Sequence, residues 1–119
     1  MIKRFLLITF ILVISTALIA CGKKYDKEIE EVTKLESNST KQSQLKDSLE
    51  FKRDKSNVNV YDGGVIITLT YKSLKDSDSL WTSVYRKNET TGKYEKDYNA
   101  KPKKIMKENK PDYKEENLK

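Results

Sequence analysis

From Val58 onward the apolar residues change from the period of a helix to that of a strand, and this change leaves few folds open to the chain. Val58-Asn-Val-Tyr61 predicts a short strand, and Asp62-Gly63-Gly64 predicts a hairpin turn that tolerates positive φ. Val65-Ile-Ile-Thr-Leu-Thr-Tyr-Lys72 is the strongest strand in the chain. After the polar loop Ser73 to Ser79, a third strand is expected at Leu80-Trp-Thr-Ser-Val-Tyr-Arg-Lys87. Asn88 to Lys93 turns, and Tyr94-Glu-Lys-Asp-Tyr98 makes a fourth strand. The connections are too short for parallel crossovers, so the sheet is an antiparallel meander.

Ahead of the strands, Tyr25, Ile29, Val32 and Leu35 recur at helical spacing, with Asp26, Lys27, Glu28, Glu30 and Glu31 on the other side. Acids early in the segment suit the positive end of a helix dipole. Ser37 to Gln44 holds no apolar residue, after which Leu45, Leu49 and Phe51 restore the stripe, so one long helix bent near Asn38 is expected. A helix stripe and one sheet face must cover each other, which predicts a two-layer α+β domain: an N-terminal helix packed on a four-stranded antiparallel sheet. Its expected extent is 25–100. The remainder, 101–119, has two prolines and seven lysines and reads as a solvated, lysine-rich tail tethered by Ile105, Met106 or Tyr113.

Residues 1–20 do not belong to that domain. Lys3 and Arg4 precede an apolar run, Phe5 to Ala20, that ends in a small residue, which is the pattern of an export signal. The run is shorter than the ~20 residues that cross a bilayer comfortably, so cleavage is favoured over retention. Removing it leaves 99 residues, enough for one small domain. Leu, Ile, Val and Phe make up only 17 of those 99, just under the ~20% at which disorder competes with folding. Seven tyrosines and one tryptophan add the apolar surface that a small core needs.

Leu18-Ile19-Ala20-Cys21-Gly22 resembles the lipobox of bacterial lipoproteins. The resemblance implies diacylglycerol on the Cys21 thiol and cleavage just before it, with 21–24 as the anchor linker. Two acyl chains at ~0.8 kcal/mol per buried CH₂ hold a protein durably, where one holds it marginally. The competing reading is an uncleaved membrane helix with a chance cysteine. Both put the rest of the chain outside the cytoplasm, since Lys3 and Arg4 stay inside. With Cys21 alkylated no thiol is left for disulfide or redox chemistry.

The order of elements, the lipobox, Cys21-Gly-Lys-Lys-Tyr-Asp-Lys-Glu-Ile29, the Tyr61-Asp-Gly-Gly-Val65 turn and the closing Asn109-Lys-Pro-Asp-Tyr-Lys-Glu-Glu-Asn117 together resemble the small cystatin-like-fold lipoproteins of Gram-positive cocci. That family is itself of unknown function, so the resemblance implies a helix wrapped by a curved antiparallel sheet and no activity. Inhibitory cystatins present a Gln-x-Val-x-Gly hairpin and a Pro-Trp hairpin. Here the hairpins read Val60-Tyr-Asp-Gly-Gly-Val65 and Lys87-Asn-Glu-Thr-Thr-Gly-Lys93, and Gly22 adjoins the anchor, so protease inhibition is disfavoured.

There is no histidine, so a Ser or Thr nucleophile lacks its usual base, and zinc lacks His or free Cys. No catalytic residue, metal site or cofactor is assigned. Asp76-Ser-Asp78 is the nearest approach to a calcium loop and lacks the distal Glu, so it reads as a polar loop. The candidate partner patch is Trp81 with Tyr85, on the face of the third strand opposite Leu80 and Val84. Either the aliphatic pair fills the core and the aromatics face a partner, or the aromatics are core and the tail covers the aliphatic pair. The charge is carried by lysine, with only Arg53 and Arg86 past the signal, which argues against nucleic acid and fits a solvated surface near anionic lipid or wall polymer. Asn38-Ser-Thr40 and Asn88-Glu-Thr90 match the glycosylation triplet by chance.

These readings converge on a lipid-anchored protein of the outer membrane face that acts as a non-enzymatic binding or accessory module with a protein partner at the cell surface. A surface component of a conjugative or mobile element, and a small-ligand carrier using the groove between helix and sheet, are the alternatives.

Overall fold

The computed structural model describes residues 24–42 and 48–118. The expected signal, the expected lipidation site Cys21 and most of the expected anchor linker lie outside the described residues, as does Leu45.

Helix α1, Asp26–Lys41, buries one stripe formed by Ile29, Val32 and Glu36, with Tyr25 at its N-terminal edge. Asp26 and Glu28 occupy its first turn and Lys41 its last, each suited to the helix dipole. The helix does not run on to Phe51. It ends inside the polar stretch, because those side chains receive the returning chain: Phe51 N–H donates to Thr40 Oγ1 at 2.9 Å and Ser37 Oγ donates to Glu50 Oε1 at 3.2 Å. Phe51 therefore enters the core from a separate segment, edge-on to Tyr71 with ring centroids 4.9 Å apart. Leu35, expected in the stripe, is exposed.

A short 3-10 turn, Arg53–Lys55, leads into the sheet. Its strands are β1 (Asn57–Tyr61), β2 (Ile66–Lys72), β3 (Leu80–Lys87), β4 (Tyr94–Lys96) and β5 (Tyr113–Glu116). They lie in the order β4-β3-β2-β1-β5, all antiparallel. Val60 opposite Ile67, Val58 opposite Leu69 and Ile67 opposite Tyr85 fix the register of the face that meets α1. These residues, with Tyr25, Ile29, Val32, Phe51, Tyr71 and Tyr94, make one continuous core. The β1–β2 turn runs through three residues in the left-handed region, Asp62 (φ 54°), Gly63 (φ 65°) and Gly64 (φ 102°). At Gly64 a Cβ would also stand 3.4 Å from the Tyr25 ring.

Two expectations about the C-terminal part need correction. Among the described residues the sheet has five strands instead of four, and residues 101–118 are not a solvated tail. Pro102–Glu108 forms helix α2, opened by proline in its first turn, and Tyr113–Glu116 is the edge strand β5 on β1. The ordered domain thus extends past residue 100. Tyr113 packs against the core beside Tyr25, and charge pairing adds to that in bringing β5 in. Arg53 makes a two-pronged bond to Glu115, Nε to Oε1 at 2.9 Å and Nη2 to Oε2 at 2.6 Å, while its Nη1 reaches Asp26 of α1 at 3.0 Å. Glu115 is held below the usual carboxylate range mainly by Arg53, and the Arg53 guanidinium is pushed up mainly by Glu115. Upstream of the strand, Asp112 accepts the Gly63 N–H at 2.8 Å and donates its own N–H to the Val60 carbonyl at 2.7 Å.

Helix α2 crosses the face of the sheet away from α1, where Met106 shares a groove with Asn57, Asn59 and Thr70. That cover explains why Tyr61, Thr68 and Val84 are buried although they lie on the face away from α1. The architecture is still α+β with one principal helix on an antiparallel sheet, now with a short helical flap on the second face.

Candidate functional site

Trp81 and Tyr85 share a strand and a face, yet the structure separates them. Tyr85 is 2% exposed and belongs to the core, so it is not part of a surface patch. Trp81 is 53% exposed. The face they share meets α1, because Ser83 and Tyr85 both donate to Glu36 of that helix, while Val84 on the opposite face is buried. The second sequence reading of this strand, aromatics inward and the aliphatic face covered by the C-terminal segment, thus holds for Tyr85 and Val84. It fails at the strand's first residues, where Leu80 and Trp81 both remain exposed.

Glu36 is the residue the sequence reading passed over. Its side chain is 1% exposed, at the C-terminal end of the buried stripe that Ile29 and Val32 begin. Oε2 accepts hydrogen bonds from the Tyr71 hydroxyl and from Ser83 Oγ at 2.6 Å; Oε1 accepts from the Tyr85 hydroxyl at 2.7 Å and from Lys96 Nζ at 3.1 Å. Burial pushes this carboxyl up, but the bonds from Ser83, Tyr71, Tyr85 and Lys96 together outweigh it and hold it below its ordinary value. Burial, then the bond to this carboxylate, pushes the Tyr71 and Tyr85 hydroxyls up. Burial also takes Tyr94 up to about 12, and its hydroxyl donates to the Gly64 carbonyl.

A carboxylate offers about four acceptor positions, and here each oxygen already has two donors. Glu36 is therefore a saturated acceptor that ties α1 to β2, β3 and β4; it has no lone pair left over to take a substrate proton or a metal. The same network reaches the surface, since the Trp81 indole N–H donates to Ser83 Oγ at 3.0 Å and so fixes the ring.

Trp81 stands beside an open cleft of about 510 Å³ that runs between the first half of β3 and the segment leading into α2. Leu80, Trp81 and Tyr98 supply exposed apolar walls, with Pro102 between the rim lysines Lys101 and Lys103. Tyr98 is 84% exposed, with Lys96 Nζ 5.6 Å from its ring centroid.

The other sequence candidates stay dispersed. Asp76 and Asp78 are both exposed on their loop, and no three metal-ligating side chains converge among the described residues. Nor is any described helix long and apolar enough to cross a membrane. The loop after β3 is closed by Asn88 Oδ1, which accepts the N–H of Thr90 at 2.8 Å and of Thr91 at 3.2 Å, and by Gly92 at positive φ.

Comparison with known proteins matches residues 25–117 to the family described as "Domain of unknown function with cystatin-like fold (DUF4467)". The matched span includes α2 and β5. A crystal structure of a DUF4467 family protein from Staphylococcus aureus subsp. aureus Mu50 is similar at 30% sequence identity and a TM-score of 0.71, covering 80% of this chain and 99% of that one. No curated protein matches. With a family model spanning the helix and all five strands, the chain belongs to this family of cystatin-like domains of unknown function.

Proposed function

We propose that this chain is a lipid-anchored, extracytoplasmic lipoprotein that works by binding rather than by catalysis. The observation that carries the reading is Cys21 directly behind Leu18-Ile19-Ala20, the pattern that receives diacylglycerol in bacterial lipoproteins. It is supported by the start of α1 at Asp26, a few residues beyond that cysteine, which would hold the domain close against the bilayer. It is supported also by the one polar constellation at the heart of the domain, since Glu36 is spent on structural hydrogen bonds. The candidate contact surface is Trp81 with its neighbours Leu80 and Tyr98.

The test is metabolic labelling with radiolabelled palmitate followed by fractionation. The native chain is expected to take up label and to sediment with membranes, and Cys21→Ser is expected to lose both properties. Unlabelled native protein, or a Cys21→Ser chain that fractionates as before, contradicts the anchor.

The cleft volume falls within the ~300–1,000 Å³ typical of small-molecule sites, which favours a ligand carrier as the second reading. Native mass spectrometry of protein purified from its host would then find a stoichiometric co-purified molecule.

A further inference from the structure

The two edges of the sheet are finished differently. On the β5 side the edge strand is short and carries charged side chains, Lys114, Glu115 and Glu116, as protected edges usually do. On the other side β4 pairs with β3 only over Tyr85–Lys87, and the last bond runs from the Asp97 N–H to the Val84 carbonyl at 2.8 Å. Strand β3 itself continues, paired with β2 as far back as Leu80. The chain leaves it because the Asp97 carboxylate accepts the N–H of Asn99 at 3.1 Å, an Asx turn that steers the backbone toward Ala100 and α2 instead of along Thr82.

Backbone groups alternate sides along a strand. Val84, Arg86 and Asn88 direct theirs at the 93–97 segment, so Leu80 and Thr82 direct theirs the same way, into the space that segment has left. Among the described residues no backbone group pairs with them there. The cleft beside this open edge has Leu80, Trp81 and Tyr98 as apolar walls, with the Trp81 ring already fixed by its bond to Ser83. Its charge is cationic: Lys96 is occupied by Glu36 and Asp97 by Arg86, and the exposed Lys101 and Lys103 complete the rim.

We infer that the Leu80–Thr82 edge of β3 is a docking site for an extended peptide segment of a partner protein. The segment adds as a strand where β4 stops, seats an apolar side chain between Trp81 and Tyr98, and turns an acidic side chain to Lys101 or Lys103. Only another extended main chain supplies a donor and an acceptor at the spacing that Leu80 and Thr82 present, the neighbouring pocket selects an alternate side chain, and the rim selects its charge. The inference rests on the reading of this chain as a binding module and gives that module its partner chemistry.

The test pans the full chain in detergent micelles against phage-displayed peptides of random sequence, and measures the affinity of the enriched peptides after synthesis. Enriched peptides are expected to carry an apolar residue flanked by Asp or Glu. N-methylation of their alternate amides is expected to weaken binding about tenfold or more, the loss that accompanies roughly one unmade hydrogen bond. Thr82→Pro removes the outward N–H and leaves the backbone ladder to β2 in place, giving up only the hydroxyl bond to Thr70, and is expected to do the same, as is Tyr98→Ala, while Leu35→Ala on α1 binds normally. Absence of enrichment, or affinities indifferent to N-methylation and to Tyr98→Ala, overturns the inference. So does a dimer of the full chain that Thr82→Pro dissociates, for the edge then belongs to a second copy. A photo-crosslinking amino acid replacing Tyr98 or Leu35 in intact cells separates the two readings. Crosslinks from position 35 alone sink the edge inference and keep the binding module, and crosslinks from neither position sink both.

Discussion

The two aromatic residues of β3 differ in nothing that the strand itself supplies. Trp81 and Tyr85 have the same face and the same partner strand, opposite Tyr71 and Ile67 respectively. What separates them is the neighbour on the far side. At Tyr85, β4 closes the sheet and Glu36 closes the helix interface, so the hydroxyl is locked into a four-donor cluster. At Trp81, β4 has already turned away, and the indole N–H is held by Ser83. One strand therefore does two jobs, with Val84 as the boundary between its structural half and its open half.

The largest expected effects test the structural half. Glu36→Ala leaves the hydroxyls of Tyr71 and Tyr85 and the Lys96 ammonium without their common acceptor, and is expected to lower stability by about 3–5 kcal/mol in urea unfolding. A change under about 1 kcal/mol would mean that the cluster repacks freely.

Acid should undo part of the same end. Glu36 and Glu115 are both held below the ordinary carboxylate value, so their contributions are complete above their unfolded pKa values of ~4.3 and are lost as pH falls through the lower folded values. The urea midpoint is expected to be level from neutral pH down to about 5 and to fall below about 4, with a shallower fall in Glu36→Gln. An equally steep fall in that variant would assign acid sensitivity to other groups.

Arg53→Ala is expected to cost less, about 1–2 kcal/mol, because the guanidinium it removes is partly solvated. Its characteristic sign is faster amide hydrogen exchange in Tyr113–Glu116, as β5 loses its link to Asp26 and the 3-10 turn. Smallest of all, Trp81→Ala should alter stability by no more than about 0.5 kcal/mol, as for an exposed site. A loss comparable to Glu36→Ala would erase the contrast between the two ends of the strand.

Periodicity made the sheet face and the first hairpin legible, because Val58, Val60, Ile67 and Leu69 announce one buried side and Asp62-Gly63-Gly64 announces the turn. It missed β5, whose Tyr-Lys-Glu-Glu carries one large apolar residue and is held by an arginine some sixty residues earlier in the chain. No local pattern encodes such a pair. Helix α2 left a fainter mark, a proline at its first turn ahead of Ile105 and Met106, which a lysine-rich composition concealed. Glu36 was readable in principle. It follows Ile29 and Val32 at helical spacing, and a carboxylate placed on an apolar stripe is a request for donors that the facing strands supply through Tyr71, Ser83 and Tyr85. The opening of β3 was not readable, since it depends on where one Asx turn after β4 diverts the chain.

Amide hydrogen exchange within β3 tests the division at Val84 most directly. Arg86 and Thr82 point their N–H groups to the same side of the same strand, one at β4 and one at the cleft. Thr82 should exchange orders of magnitude faster than Arg86 and become protected once a peptide from the display selection is bound. Equal protection of the two amides in the free protein would mean that the edge is already covered, and the open half of the strand would not exist.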